Sequence, residues 1–291
     1  MSVPADTPRV GKVGIWSMEL RFGDRAEALD AVAELDELGF GALWVPGGID
    51  DAVLEDVDRL LAATRRTTIA TGIINVWKLT PAQVGVWFKT ASHDTRRRAL
   101  LGLGISHSPL IGEGWDKPLE RMREYLDGCD AAGLPPHHLC LAALGPKMVA
   151  LSGERTAGAH PYLTTPEHSA EARAILGPEP LLAPEQGVVL DTDPESARAA
   201  ARKAVDHYRA LPNYVNSWKR LGIAQEEIDA MSDRFIDAIF AWGDAGRIAE
   251  RVNAHLAAGA DHVCLQVIPS RGASGFAAVR PIWRELAAAL L

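Results

Sequence analysis

Short apolar runs alternate with longer amphipathic ones along almost the whole chain, and that alternation restricts it to a parallel sheet covered by helices. Lys12–Trp16 reads as the first strand. The helix Asp24–Leu38 follows, with Ala28, Val32 and Leu35 at helical spacing and Gly39 closing it. The later strands are Ala42–Val45, Thr68–Ile74, Ala99–Ile105, Leu139–Leu144, Ala157–Leu163, Gly187–Leu190 and His262–Val267. Between them lie the helices Ala52–Ala63, Thr80-Pro81 to about His93, Leu119–Ala131, Lys147–Glu154, Glu167–Leu176, Glu195–Tyr208 and Ala245–Ala258, with Ala277–Leu290 closing the chain. The strands are apolar on both faces, as parallel strands under helices must be. Eight β-to-α units in 291 residues predict a (β/α)8 TIM barrel. The alternative is an open doubly wound sheet, which more often has about five or six strands. A helical stretch from Pro212 to Phe240 is then an insertion before the eighth strand, and residues 1–291 form a single domain.

A formal charge of −8 argues against nucleic acid or an anionic membrane as the main partner. Cys129, Cys140 and Cys264 are unclustered and lack a C-x-x-C spacing, which suits a reducing compartment. The segment Met1–Val13 has no basic-then-apolar signal pattern, and no apolar run reaches the length of a membrane span, so a cytoplasmic protein is expected. No His/Cys/Asp/Glu set has metal-ligand spacing, and neither G-x-S-x-G nor H-E-x-x-H occurs, so no metal is expected.

In a barrel of this kind, residues just after each strand face the functional rim and those just before it face the stabilising end. His93, His137, His138 and His262 precede strands, and His207 and His255 lie on helices, so these six read as structural or surface groups. His107, just past the fourth strand, and His160, at the end of the sixth, lie at the functional rim, with His168 beyond in the following loop. His107 ends Gly102-Leu103-Gly104-Ile105-Ser106, where small residues let backbone approach a flat ligand and a histidine exchanges protons near neutrality. The alternative is a tight strand followed by a histidine bonded to its own loop. Without a third glycine, this is not a G-x-G-x-x-G fingerprint. Leu144-Gly145-Pro146-Lys147 opens a helix, whose free backbone N–H groups and lysine attract phosphate, although proline at a helix start is common in its own right. After the third strand, Gly72 permits an unusual backbone beneath a ring, and Trp77 and Lys78 offer stacking and charge. Trp44 raises the same question, but tryptophan more often packs. Thr165-Pro166 reads as a helix cap, as does Asp193, and Arg96-Arg97-Arg98 reads as a solvated charge run.

Taken in order, Leu38-Gly39-Phe40-Gly41-Ala42-Leu43-Trp44, Ala70-Thr71-Gly72-Ile73, Leu101 to His107, Pro118 to Leu126, Ala143 to Met148, Ala159 to Leu163 and Ala258 to Val263 resemble the luciferase-like monooxygenase superfamily. Within it they resemble the deazaflavin (coenzyme F420)-dependent oxidoreductases of the actinobacterial type. That resemblance implies a barrel, often a homodimer, with a flavin-like ring at the strand ends acting on a small organic molecule. It implies a non-proline cis peptide after the third strand, by position Gly72–Ile73. It also implies a cofactor phosphate near Ala143, Leu144, Gly145, Pro146 and Lys147. By the same placement Trp44, Pro46, Ile74, Gly104, Ser106, His107, His160 and Tyr162 join the cofactor-binding set, with FMN as the alternative cofactor. Better-known deazaflavin dehydrogenases carry an acid–histidine pair after the second strand and a glutamate after the fourth. Here those places read Val45-Pro46-Gly47-Gly48 and Ser106-His107. His107 is the candidate proton-transfer group, with His160 and His168 as alternatives. An FMN-using monooxygenase and a non-catalytic cofactor-binding barrel are the competing functions.

Overall fold

The computed structural model describes residues 4–48, 50–107, 111 and 116–291. Ten strands form one sheet in which every described pairing is parallel: β1 (Val13–Trp16), β2 (Ala42–Gly47), β3 (Thr68–Asn75), β4 (Ala99–Gly104), β5 (Leu139–Leu141), β6 (Gly158–Ala159), β7 (Leu181–Leu182), β8 (Glu185–Leu190), β9 (Phe240–Gly243) and β10 (Val263–Val267). Their spatial order is β7-β6-β5-β4-β3-β2-β1-β10-β8-β9. β7 pairs with β6, while β8 pairs with β10 and β9. Only Ala183 and Pro184 separate β7 from β8 in the chain, and Cys264 N–H donates to Pro184 O across that break. The sheet therefore curls round toward itself in the TIM-barrel-like manner.

The helices of this part are α1 (Glu19–Phe22), α2 (Arg25–Leu38), α3 (Val53–Ala62), α4 (Pro81–Thr90), α5 (His93–Arg97), α6 (Pro118–Ala131), α7 (Pro146–Arg155), α8 (Pro166–Leu176) and α9 (Pro194–Val205), and all but the short α1 and α5 lie where hydrophobic periodicity puts them. Three short helices, α10 (Pro212–Arg220), α11 (Gln225–Asp229) and α12 (Asp233–Ile239), stand between β8 and β9; α13 (Ala245–Ala257) and α14 (Phe276–Leu290) close the fold. Side-chain caps start several of them: Asp24 accepts from Ala26 and Glu27, Thr80 and Gln83 form a capping box, and Thr165 accepts from His168 N–H. One apolar cluster seals α2, α3 and α14 against the strands, and a second packs α4 and α6 onto β3, β4 and β5.

Local differences from the sequence reading have local causes. The helix expected from Pro81 to His93 breaks at Ala91, whose extended backbone lets Ser92 cap α5. The sixth strand stops at Ala159, before Pro161, and the chain turns at Leu163 with φ 53. The seventh starts two residues early, at Glu185, after Pro184 interrupts it. The strand β9 lies where the expected helical stretch ends, too short for a period to show. Arg98 is not solvated: it is buried and donates to Thr64 Oγ1 and Leu61 O. The loop expected after the fourth strand lies mostly outside the described residues.

Candidate active site

A cavity of about 510 Å³ opens at the carboxyl ends of the strands. Trp16 from the end of β1, Pro46 and Gly48 around the end of β2, Gly72 and Ile73 of β3, Ser106 and His107 after β4, and Ala142 after β5 form one side. His160 and Tyr162 after β6, with Gln266 and Ile268 at β10, continue the ring. Tyr208 and Tyr214, from the turn after α9 and from α10, cover it from above, and the exposed His207 stands at the mouth.

The floor is a glycine edge. The Gly72–Ile73 peptide is cis, as expected. A Cβ at Gly72 would lie 2.5 Å from Trp16 Nε1 and 3.3 Å from His160 Nε2, so only glycine leaves this surface flat. The glycines of β4 serve a different purpose from the one their sequence suggests. A side chain at Gly102 would meet Thr71 O, and one at Gly104 would meet the Ile73 side chain. They make room for the neighbouring strand, and Thr71 Oγ1 donates to Gly102 O at 2.9 Å in the same seam. Register shifts between Ala70 and Ile74 and between Val45 and Gly47 mark where β3 departs from regular pairing.

The polar groups of the site are few and oriented. His160 is fully buried, and its Nδ1 lies 2.7 Å from Ala183 O. A carbonyl only accepts, so Nδ1 carries the hydrogen and Nε2 presents a lone pair toward Gly72. Burial pushes the His160 pKa down to about 4, so the ring is neutral near pH 7. Trp44 stacks on it at 4.0 Å and donates to His262 Nε2, and His262 Nδ1 is held by Gly11 O. Beside His160, Trp16 Nε1 is a buried donor with no partner among the described residues. Such an atom is costly unless a ligand meets it.

His107 is half-buried 5.6 Å from the Tyr214 ring. Burial lowers its pKa, Asn213 opposes that through a hydrogen bond, and His207 adds to it as a second basic group. Burial also lowers the pKa of His207. Tyr162 donates to Gln266 Oε1 at 2.6 Å, and Tyr208 donates to the Tyr162 oxygen at 3.4 Å. Burial raises the pKa of Tyr162, Tyr208 and Tyr214, so all three hydroxyls stay protonated. Behind them Glu185 is wholly buried, accepts from Leu163 N–H with one oxygen, and leaves the other without a partner among the described residues. Burial lifts its pKa to about 8.

Of the residues singled out by sequence, Pro46, Gly72, Ile73, Ser106, His107, His160 and Tyr162 line the cavity. Trp44 lies beneath His160, Ile74 is buried in the apolar cluster beside β4, and Gly104 is covered by Ile73. Ala143, Leu144, Gly145, Pro146 and Lys147 lead away from Ala142 into α7, with Pro146 and Lys147 exposed. His168 is buried and reaches Leu144 O at 3.0 Å, away from the cavity. Trp77 packs under Arg121 and donates to Ile105 O. Sequence reasoning missed Tyr208, Tyr214 and Arg220, whose guanidinium donates to Leu144 O at 2.9 Å. It also placed His207 among the background histidines, yet that residue lines the cavity. The only signal was the aromatic run Tyr208, Tyr214 and Trp218.

The profile of the luciferase-like monooxygenase family matches residues 11–262. A protein of Mycobacterium tuberculosis provisionally named a coenzyme F420-dependent oxidoreductase is 29% identical over 103 residues, 34% of this chain, which spans only 29% of that relative. The 5,10-methylenetetrahydromethanopterin reductase of Archaeoglobus fulgidus is 24% identical over 257 residues, covering 75% of this chain and 76% of that one. Among solved structures, the coenzyme F420-dependent tetrahydromethanopterin reductase of Methanopyrus kandleri shares the fold with TM-score 0.70 at 19% identity, over 95% of this chain and 98% of that one. The FMN-bound oxygenating constituent of 3,6-diketocamphane monooxygenase of Pseudomonas putida shares it with TM-score 0.64 at 14% identity, over 96% of each chain. With cavity, glycine edge and family profile in agreement over most of its length, the chain belongs to the luciferase-like monooxygenase family of enzymes.

Proposed function

We propose that this protein is a deazaflavin (coenzyme F420)-dependent oxidoreductase that moves a hydride between the cofactor and a small organic substrate. The observation that carries the reading is the flat Gly72–Ile73 edge flanked by a donor with no partner among the described residues, Trp16 Nε1, and one oriented acceptor, His160 Nε2. That pair suits the rim of a planar, hydrogen-bonding ring, and the names of the relatives favour the deazaflavin. When bound, the cofactor supplies a two-electron hydride carbon.

The chain's own residues do the rest. Gly72 and Ile73 bear the ring, and Trp16 and His160 fix its edge. Backbone N–H groups at the start of α7, with Lys147 and Arg220 nearby, suit an anionic tail. Tyr162, Tyr208 and Tyr214 wall off water; with the Tyr162 and Tyr208 hydrogens committed to Gln266 and Tyr162, the Tyr214 hydroxyl is the one that donates a hydrogen bond to a substrate oxygen. His107, beside the cavity and largely unprotonated near pH 7, accepts or returns the proton. His168 orders the turn between β5 and α7 through Leu144 O. The extra helices α10 to α12 serve as an insertion that roofs a barrel-shaped site, in a cytoplasmic homodimer; light scattering in solution tests the dimer.

The decisive experiment is a fluorescence titration of the purified chain with F420 and, separately, FMN. F420 should bind saturably and FMN far more weakly; tight binding of FMN alone rejects the assignment, and oxygen-dependent turnover would then mark a monooxygenase. A broad substrate screen that never oxidises or reduces bound cofactor favours the non-catalytic reading. Once a substrate is known, His107→Ala should lower kcat by about 10²- to 10⁴-fold, a loss larger than any accompanying change in cofactor affinity.

A further inference from the structure

At the opposite end of the sheet, three metal-ligating side chains that are distant in sequence close on one another. His137 and His138 sit on the turn just before β5, and Asp6 lies in the segment leading to β1. Asp6 Oδ1 is 3.0 Å from His137 Nε2, and Asp6 Oδ2 is 3.5 Å from His138 Nε2. All the ligand atoms lie within 4.8 Å of one another. Around a tetrahedral zinc with bonds of about 2.1 Å, neighbouring donor atoms stand roughly 3.4 Å apart, so these separations already approach a coordination shell.

The tautomer of His138 makes the case sharper. Its side chain is fully buried, and Nδ1 faces Ala99 O at 3.3 Å. The carbonyl accepts, so Nδ1 carries the hydrogen and Nε2 turns a bare lone pair toward a carboxylate oxygen. Two electron-rich atoms then face each other without a proton between them. His137 can satisfy Oδ1 by donating, and the carboxylate also takes its own backbone N–H, but in this tautomer the 3.5 Å contact between His138 Nε2 and Oδ2 carries no hydrogen. A cation does, and an imidazole whose second nitrogen is held by a carbonyl is how metal-bound histidines are commonly fixed.

We propose that Asp6, His137 and His138 form a structural zinc site, with one carboxylate and two Nε2 atoms as ligands and water completing the tetrahedron. Two imidazoles and a carboxylate are a donor set for divalent transition ions, and the partial exposure of Asp6 and His137 leaves room for that water. The ion pins the segment before β1 to the β4–β5 edge. It lies at the amino-terminal ends of the strands, remote from the cavity, and takes no part in hydride transfer. Asp6 and His137 are 131 residues apart, which is why no local spacing announces the site.

The test uses the full-length chain freed of any affinity tag and stripped with a chelator. Zn²⁺ titrated against a chromophoric chelator should bind with one tight equivalent per chain and raise the melting temperature. Co²⁺ in its place should give the intense visible bands of four-coordinate ligation. Asp6→Asn and His137→Gln remove half-exposed ligands, so the variants should fold, and each should weaken binding at least tenfold and abolish those bands. Circular dichroism of the metal-free variants guards against misfolding. The proposal is overturned if the parent chain binds no equivalent, or if both variants bind Zn²⁺ as tightly as the parent does. Since the readout involves no cofactor, its failure leaves the oxidoreductase reading untouched.

Discussion

His160 illustrates how one backbone contact decides what a side chain can do. Its place just after the sixth strand is enough to mark it from sequence, but its chemistry is not, because that depends on Ala183 O across a proline-interrupted strand. With Nδ1–H committed there and burial holding the pKa near about 4, His160 is an acceptor and not an acid over the physiological range. Nitrogen NMR of the labelled ring should show an unprotonated Nε2 from pH 5 upward; a titration midpoint near 6.5 would refute this. His160→Ala should weaken binding of the ring-bearing cofactor by about tenfold or more, the worth of roughly one hydrogen bond to a buried partner. His207 and Arg220 escaped notice for the converse reason. They sit on a turn and a helix whose path over the site is set by tertiary packing, and no strand-end rule reaches them.

At the level of elements, the seam between β3 and β4 holds the floor of the cavity. Glycines at 102 and 104 look alike in sequence but answer to different neighbours, one to backbone and the other to a side chain. Gly104→Ala should destabilise the fold by about 1–3 kcal/mol through overpacking, and Ile73→Ala in the same chain should recover much of that loss. Gly102→Ala should cost at least as much and gain nothing from Ile73→Ala, since Thr71 O cannot move aside. Chemical denaturation of the five chains, parent included, separates these outcomes; equal rescue at both positions would contradict the assigned contacts. Elements long enough to show a period, such as α2, α6 and β4, were legible from the chain alone. The two-residue β7 and the four-residue β9 were not, and β6 was expected but drawn too long, because pairing with neighbours, and not any local pattern, sets the extent of such short strands.

Across the whole molecule, buried titratable groups set opposing limits on stability. Burial holds His160 and His262 near about 4 and His255 near about 3. In the unfolded chain these rings take up protons near about 6.5, so stability is fully present above that pH and falls as pH drops toward 4. Glu185 acts in the other direction. Its folded pKa of about 8 lies above the ordinary 4.5, so the stability it contributes is present below 4.5 and fades as pH rises through 8. The melting temperature should therefore peak between about pH 6 and 7. Glu185→Gln should flatten the alkaline limb by a few kcal/mol, given roughly 1.4 kcal/mol per pKa unit, and leave the acid limb in place. A variant with an unchanged alkaline limb would show that Glu185 ionises freely.

The cavity's two faces come from different parts of the chain. Strand ends supply the floor at Gly72, His160 and Trp16, while Tyr208 and Tyr214 descend from the segment between β8 and β9. In the proposed enzyme the floor meets the cofactor and the roof meets the substrate, so cofactor affinity and substrate choice are inherited separately. Grafting residues 206–239 from a relative onto this scaffold should change which molecules are turned over while the cofactor's dissociation constant stays put. A chain built this way can exchange its roof over an unchanged hearth.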